Sequence, residues 1–513
     1  MYWCKIAQTQ AEFTAIAKLN YATFVEEIPQ HEPNASKEVT DRFHAENTYL
    51  VVYKGTTIIG MLAFRDQRPF SLDEKIGAVE KYLNEEHCEK LCEIRLLAVD
   101  KAYRTGRVLL KLAQALNQFA YEKGYSAAVI SGTTREEKLY RQMGFTQFAP
   151  AVGTEEAKFL PMVLTRKQFE QSLQKRLAKD VFTFYPGPVK QDGNIKNSNL
   201  SHRSLAFQAL YERMQQKLLL LSNANYVATI VGTGTLANDV LLGQIKSQQL
   251  GRGLILANGE FGERLIGQSR QWDLVFDCVQ NGWGEPFDEK VVEGHLQTGK
   301  YEWLLFVHGE TSTGTCNDLD LLTKLSKRYG VKLCADCISS FGSMPFSLEN
   351  CYLATAVSGK AIGAMSGLAF VFSKVIAKDS SLPFYLDLAK YQREQVPFTI
   401  PAALVANVEM ALQAYPTRFE QLQARFEVLQ PLPLVKEYQL QTPSYPMILT
   451  LKLPENYSGL SLDLKLNGIY VHGDSRYLRQ KNLIQIAVIQ PDFEKAFQQL
   501  KEILAYYKEL AEI

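Results

Sequence analysis

Lys360, in the run Ser358-Gly359-Lys360-Ala361-Ile362-Gly363, and Asp336, closing the apolar run from Val331 to Ala335, are residue types that can do chemistry together. A lysine amine condenses with an aldehyde. A buried carboxylate beside a ring nitrogen holds its proton, so that the ring draws electrons from a bound carbon. The pair points to pyridoxal phosphate, with Lys360 and Asp336 serving as catalytic and cofactor-binding residues. A lone lysine and a strand-end aspartate would carry no such meaning; the ordered motifs around them supply it.

Gly232-Thr233-Gly234-Thr235 follows an apolar strand and precedes a helix, so the amides of Gly234 and Thr235 can hold a phosphate at a helix N-terminus. Further on come Asn258-Gly259-Glu260-Phe261-Gly262-Glu263-Arg264 and His308-Gly309-Glu310-Thr311-Ser312-Thr313-Gly314, then Asp336-Cys337-Ile338. The elements that must position them are short apolar runs at 227–230, 254–257, 303–307, 331–335 and 368–372, separated by helical stretches. That alternation predicts a mostly parallel sheet covered on both faces.

At 513 residues the chain exceeds one hydrophobic core, and two or three domains are expected. Lys plus Arg (56) nearly cancels Asp plus Glu (55), which argues against a general nucleic-acid surface or membrane-docking patch and for small-molecule chemistry. The opening Met1-Tyr2-Trp3-Cys4-Lys5 lacks the pattern of a signal peptide, and no run reaches membrane-spanning length, so a cytoplasmic protein is expected. Eight cysteines are too sparse for a disulfide scaffold. The single Cys334-x-x-Cys337 has no second pair at finger spacing, and His87, Cys88 and Cys92 read as part of a helical insertion, so no metal site is expected.

Residues 1–170 have their own pattern. Thr48 to Phe64 reads as a hairpin around Lys54-Gly55. A strand from Glu93 to Val99 runs through Tyr103-Arg104-Thr105-Gly106-Arg107 into a helix with Leu109, Leu110, Leu112, Ala113 and Leu116 at helical spacing. A strand at 127–130 and Leu139-Tyr140-Arg141-Gln142-Met143-Gly144-Phe145 follow. This order resembles the GNAT family of N-acyltransferases. The resemblance implies an acyl-CoA or acyl-carrier-protein thioester as co-substrate. Gly106 then lies in its pyrophosphate-binding loop, and Tyr140 is the general acid for the departing thiolate. Tyr103 and Val108 depart from that loop's usual residues, and Arg104 and Arg107 are candidate compensating phosphate partners. Glu93 reads either as a general base or as a solvated strand-edge carboxylate.

After a polar connector at 171–180, residues 181–513 open with Tyr185-Pro186-Gly187-Pro188. With the motifs above, this part resembles the class V aminotransferases, nearest in appearance to the alanine:glyoxylate, serine:pyruvate and 2-aminoethylphosphonate:pyruvate group. The fold so implied is α/β throughout. A GNAT-like α/β domain precedes a pyridoxal-phosphate-dependent transferase of fold type I, which has a mostly parallel seven-stranded-type sheet and a small C-terminal α/β subdomain from about residue 430. By resemblance, Phe261 stacks on the cofactor ring and Ile338 packs on its other face, while Thr311 and Ser312 line the site. Thr399, in Pro397-Phe398-Thr399-Ile400-Pro401, reaches the phosphate of a neighbouring subunit, which implies a homodimer with a shared site.

Relatives commonly place an arginine on the substrate carboxylate where this chain has Gln485. Either Arg476 or Arg479 replaces it, or the amino substrate lacks an α-carboxylate there. The expected function is bifunctional: an amino group passes from a donor to a 2-oxo acid or aldehyde, and an N-terminal domain acylates an amine, with an acyl-carrier protein as a candidate partner. The alternative is a lyase or decarboxylase behind a non-catalytic domain that senses an acyl carrier. Cysteine desulfuration would need a mobile thiol, for which Cys316 and Cys351 are nearest in sequence.

Overall fold

The computed structural model describes residues 1–28, 31–84, 89–153, 158–172, 177–191, 195, 197–394 and 396–511. His87 and Cys88, and residues 173–176 of the connector, lie outside the described residues. The chain divides into two compact units. The first comprises Met1–Phe182 with Gly459–Ile469 and Gln499–Ile513, and the second Thr183–Ser458 with Tyr470–Gln498. The expected boundary near 170 therefore leaves out two late segments that belong to the first unit.

The first unit is built on an eight-stranded sheet. Its hairpin, Thr48–Lys54 with Thr57–Arg65, turns at Gly55 as the sequence predicts. Strand Leu91–Val99 runs parallel to Ala127–Thr133, but the two pair only from Leu91/Ala127 to Glu93/Val129 and then part. Cys92 is buried in the first of these strands and not in a helical insertion. Helix Gly106–Lys123 buries Val108, Leu112, Ala115 and Phe119 and stops at left-handed Gly124. The buried stripe thus runs one residue ahead of the expected one, and Leu110 is exposed.

The second unit centres on a seven-stranded sheet. Its order is Tyr226–Val231, Leu368–Ser373, Leu353–Val357, Lys332–Asp336, Trp303–Val307, Gly253–Ala257 and Phe276–Gln280. Leu368–Ser373 runs antiparallel to both its neighbours, and the other pairings are parallel. The central strands read as unbroken apolar runs because both faces are covered. Leu254, Leu256, Leu304 and Phe306 enter one core, while Ile255, Ala257, Trp303 and Leu305 enter the other. The parallel strands end along one edge, where successive loops converge. A smaller antiparallel pair, Ile448–Lys452 with Leu483–Ala487, lies in the C-terminal part.

Candidate active site

Five loops at that edge bring seven of the sequence-predicted residues of the second unit together. Gly234, Thr235, Phe261, Thr311, Asp336, Ile338 and Lys360 all line one cavity of about 150 Å³. A larger cavity of about 610 Å³ shares Gly234, Ile338 and Lys360 and adds Tyr185, His472 and Ser475.

Asp336 ends its strand, with Oδ1 accepting from the Ile338 N–H at 2.9 Å and Oδ2 from Asn238 Nδ2 at 2.8 Å. Thr355 Oγ1 donates in turn to Asn238 Oδ1 at 2.8 Å, fixing the direction of that amide. Burial pushes the Asp336 carboxyl up, while these two donors and the nearby Lys360 and Arg264 charges pull it down. Burial brings the Lys360 amine down to about 8, although Asp336 and Glu310 favour its charged form. A lysine so placed has a substantial neutral fraction near neutral pH, as a nucleophile or proton carrier requires.

Glu310, a residue without a role in the motif reading, organises the neighbouring wall. Its fully buried carboxylate accepts from the N–H groups of Phe261, Gly262 and Ser312 and from Ser312 Oγ. It thereby caps helix Glu260–Gln271, which carries Phe261 and Arg264 into the site. Ser312 Oγ is taken up with Glu310 and with the Glu260 N–H, so it supports the wall and does not line the cavity.

Gln485 is buried. Its amide donates to Thr311 O at 2.5 Å and Thr450 Oγ1 at 2.9 Å, and its Oε1 faces His472 Nδ1 at 2.9 Å. Arg476 and Arg479 sit on the exposed side of a short helix, and neither lines either cavity. Thr399 is exposed and away from both cavities of its own chain. Cys351 is buried, and burial raises both its thiol and that of Cys316 to about 12; neither lines these cavities.

The residues fit pyridoxal phosphate. A Cβ on Gly234 would come within 2.5 Å of Ile338 Cδ1, so glycine keeps open the space between helix N-terminus and cavity. An aromatic face, an aliphatic side chain, a buried carboxylate and a depressed amine share one small chamber.

In the first unit, Tyr140 lies on helix Glu137–Gln142 and packs beside Ile130, Phe145 and Met162. Its ring lies over Gly132, where a Cβ would meet it at 2.8 Å. Burial raises its hydroxyl, and a hydrogen bond with Thr133 draws it part-way back. Gly106 opens its helix with no side chain within 4 Å of its Cβ direction, a position compatible with an incoming anion. Arg104, a candidate phosphate partner, is paired with Glu27. Glu93 is not a solvated strand-edge carboxylate. It is fully buried and accepts from Ser71 N, Ser71 Oγ and Leu72 N. A cavity of about 150 Å³ with a largely apolar wall, including Ile94, Leu116, Ala120, Met143, Phe145 and Phe169, lies under the long helix.

Residues 15–167 match the family described as N-acyl amino acid synthase FeeM, and residues 190–386 match aminotransferase class-V. In chain order, then, the match is to N-acyl amino acid synthases in the first part and to class-V aminotransferases in the second, hereafter the class-V domain. Over 257 residues it is 30% identical to the soluble hydrogenase small subunit of Synechococcus sp., covering 47% of this chain and 65% of that protein. Over 254 residues it is 28% identical to a bifunctional phosphonoacetaldehyde hydrolase/aminoethylphosphonate transaminase of Clostridioides difficile, covering 45% and 40%. The chain thus spans less than two thirds of either relative. Among solved structures, an alanine–glyoxylate aminotransferase from Nostoc sp. superposes with a TM-score of 0.57 at 22% identity, over 65% of this chain and 96% of that one. That likeness identifies the fold of the class-V domain as pyridoxal-phosphate transferase fold type I. No helix among the described residues is long and apolar enough to cross a membrane.

Proposed function

We propose that the class-V domain is a pyridoxal-phosphate-dependent aminotransferase and that the N-terminal domain acylates an amine. The observation that carries this reading is the convergence of Lys360, Asp336, Phe261 and Ile338 on one chamber. When bound, the cofactor supplies an aldehyde that exchanges amines and a ring that accepts electrons. Asp336, held by Ile338 N and Asn238, would keep the cofactor's ring nitrogen protonated. Lys360 Nζ would hold the cofactor until a donor amine displaces it, and the freed amine would then be placed to move a proton at the donor's amine-bearing carbon. The amides of Gly234 and Thr235 hold the phosphate, joined by Thr399 of a second copy in a homodimer with shared sites. Arg476 and Arg479 remain candidate substrate contacts only through a change in the pose of their helix, and His472 is the better-placed polar group at the larger cavity.

In the N-terminal domain, of GNAT type in this reading, Tyr140 delivers a proton to a departing thiolate. The raised hydroxyl suits it to stay protonated until then. The apolar cavity supports an acyl group delivered as a CoA or carrier-protein thioester. The described cysteines are all free, which suits a reducing, cytoplasmic setting. Tethering lets an amine made by one domain meet the other at high local concentration.

Borohydride treatment of the cofactor-loaded chain, followed by peptide mass mapping, should fix the cofactor on Lys360. An amine donor alone should then convert the cofactor stoichiometrically to its aminated form. Fixation elsewhere removes the assignment of Lys360; product release with the cofactor unchanged makes the reaction a lyase or decarboxylase instead.

A further inference from the structure

Outside both cofactor cavities, the second unit brings three nitrogen and sulfur donors together. Cys316 Sγ lies 3.5 Å from His308 Nε2 and 3.5 Å from Met344 Sδ. His308 Nδ1 is 2.9 Å from Ser340 Oγ, whose own proton is directed at Cys337 O at 3.5 Å. With Nδ1 donating to Ser340 Oγ, the tautomer this arrangement favours, Nε2 keeps its lone pair toward the sulfur. The imidazole is further held edge-on by Phe346, ring centroids 4.5 Å apart, and by backbone bonds from His308 N to Asp336 O and from Asn317 N to His308 O. Such fixing of tautomer and ring orientation is what a ligating histidine needs. His308 is buried, whereas Cys316 and Met344 are partly exposed, and all three border a separate cavity of about 500 Å³ that gives access from solvent.

Bonds of about 2.0–2.3 Å to imidazole nitrogen and thiolate sulfur place neighbouring donors roughly 3.5–4 Å apart, the spacing already present around Cys316. The chemistry of the set selects the ion. A thiolate, a thioether and one imidazole are ligands for a soft cation. A structural zinc site would call for four ligands drawn from Cys, His and carboxylates, and among the described residues no three such groups converge. Asp318, one of the carboxylates at this cavity, is committed to capping its own helix through the Leu321 N–H.

We propose that His308, Cys316 and Met344 form a three-coordinate site for copper(I). Binding transfers no electrons: the thiol gives its proton to solvent, the sulfur gives a lone pair to the ion, and the imidazole and thioether add theirs.

The test is an anaerobic titration of the full-length, cofactor-loaded chain against the coloured copper(I)–bicinchoninate complex. The intact chain should withdraw one equivalent and bleach the chelator, and C278S, altered at the other partly exposed cysteine among the described residues, should do the same. C316S should lose that equivalent. M344L, at a partly exposed position, should bind about 10–100-fold more weakly, a loss comparable to that from removing an outer-shell partner, with its circular dichroism and cofactor spectrum unchanged. An intact chain that leaves the colour untouched, or a C316S chain that titrates like the parent, overturns the site. M344L with parental affinity overturns the three-coordinate assignment. None of these outcomes depends on the aminotransferase reaction, so that reading and this one fail separately.

Discussion

At Lys360 two influences oppose each other: burial lowers the amine to about 8, while Asp336 and Glu310 favour its charged form. The neutral amine is the form that captures an aldehyde, so capture by the apo chain should speed up as pH rises through about 8 and level off above it. Glu310→Gln removes one favouring charge and should move that midpoint lower; a stopped-flow absorbance series over pH measures both, and an unmoved midpoint discounts the influence of Glu310. Asn238→Leu leaves Asp336 Oδ2 without its donor. An unsatisfied buried group of this kind costs about 1–3 kcal/mol, so the variant should bind cofactor about 5–150-fold more weakly in equilibrium dialysis, with Asn238→Asp no better because it adds a second buried charge. Lys360 and Asp336 were legible because each sits in an ordered motif. Asn238 lies outside those motifs, and Glu310, although inside the His308–Gly314 motif, carries no role there, since the roles of both depend on which helix docks against which strand end. The only local hint was a polar residue beside Ala237, Val240 and Leu241 on a helix face that is otherwise core.

At the scale of elements, the helix N-terminus at Gly234 and the loop at Ile338 approach so closely that only glycine fits. Gly234→Ala should overpack this contact by about 1–3 kcal/mol and weaken cofactor binding. Ile338→Val, which removes the nearest methyl, should restore part of that loss in the double variant. Purely additive affinities by fluorescence titration would place the defect elsewhere. On helix Glu137–Gln142, Tyr140→Phe keeps the ring over Gly132 but removes the proton. Acyl transfer should fall about 10²–10⁴-fold, the usual range for a positioned acid, while aldehyde capture by the class-V domain stays at the parental rate. An unchanged acylation rate would leave the N-terminal domain as a sensor. The apolar runs of the class-V sheet were readable because strands buried on both faces carry continuous hydrophobic sequence. Phe276–Gln280 escaped because it is a half-exposed edge strand, and Leu353–Val357 because helix Gly234–Ser247 packs over its small residues. Val108 looked like a defect in an anion loop, yet it is the first buried residue of its helix, in contact range of Gly60.

At the scale of the whole molecule, the first unit is completed by segments some 280 residues beyond its main body, an arrangement no local pattern announces. The physical reason lies at the edge strand Tyr2–Ile6, whose outer backbone groups need partners. Asn467 exchanges two hydrogen bonds with the Cys4 backbone, at 2.9 and 2.8 Å, and Asp463 Oδ1 accepts from the Ile6 N–H at 2.9 Å. Tyr507 OH donates to Asp463 Oδ2 at 2.9 Å. Burial raises the Asp463 carboxyl to about 7, although Lys5 and these hydrogen bonds pull against it. The folded chain therefore binds this proton more tightly than the unfolded chain, whose aspartate titrates near its ordinary value of about 3.9. Its stabilising contribution is complete below about 3.9 and is lost as pH rises to about 7. Asp463→Asn is neutral throughout, still accepts from Ile6 and can donate to the Tyr507 oxygen. Relative to the parent it should gain on the order of a few kcal/mol between pH 4 and pH 8. Hydrogen exchange of the peptide holding Ile6 reads this locally: protection in the parent should decline over that range and stay level in the variant. Parallel profiles would mean that Asp463 keeps its charge in the folded chain and that the edge strand is held by the Asn467 bonds instead.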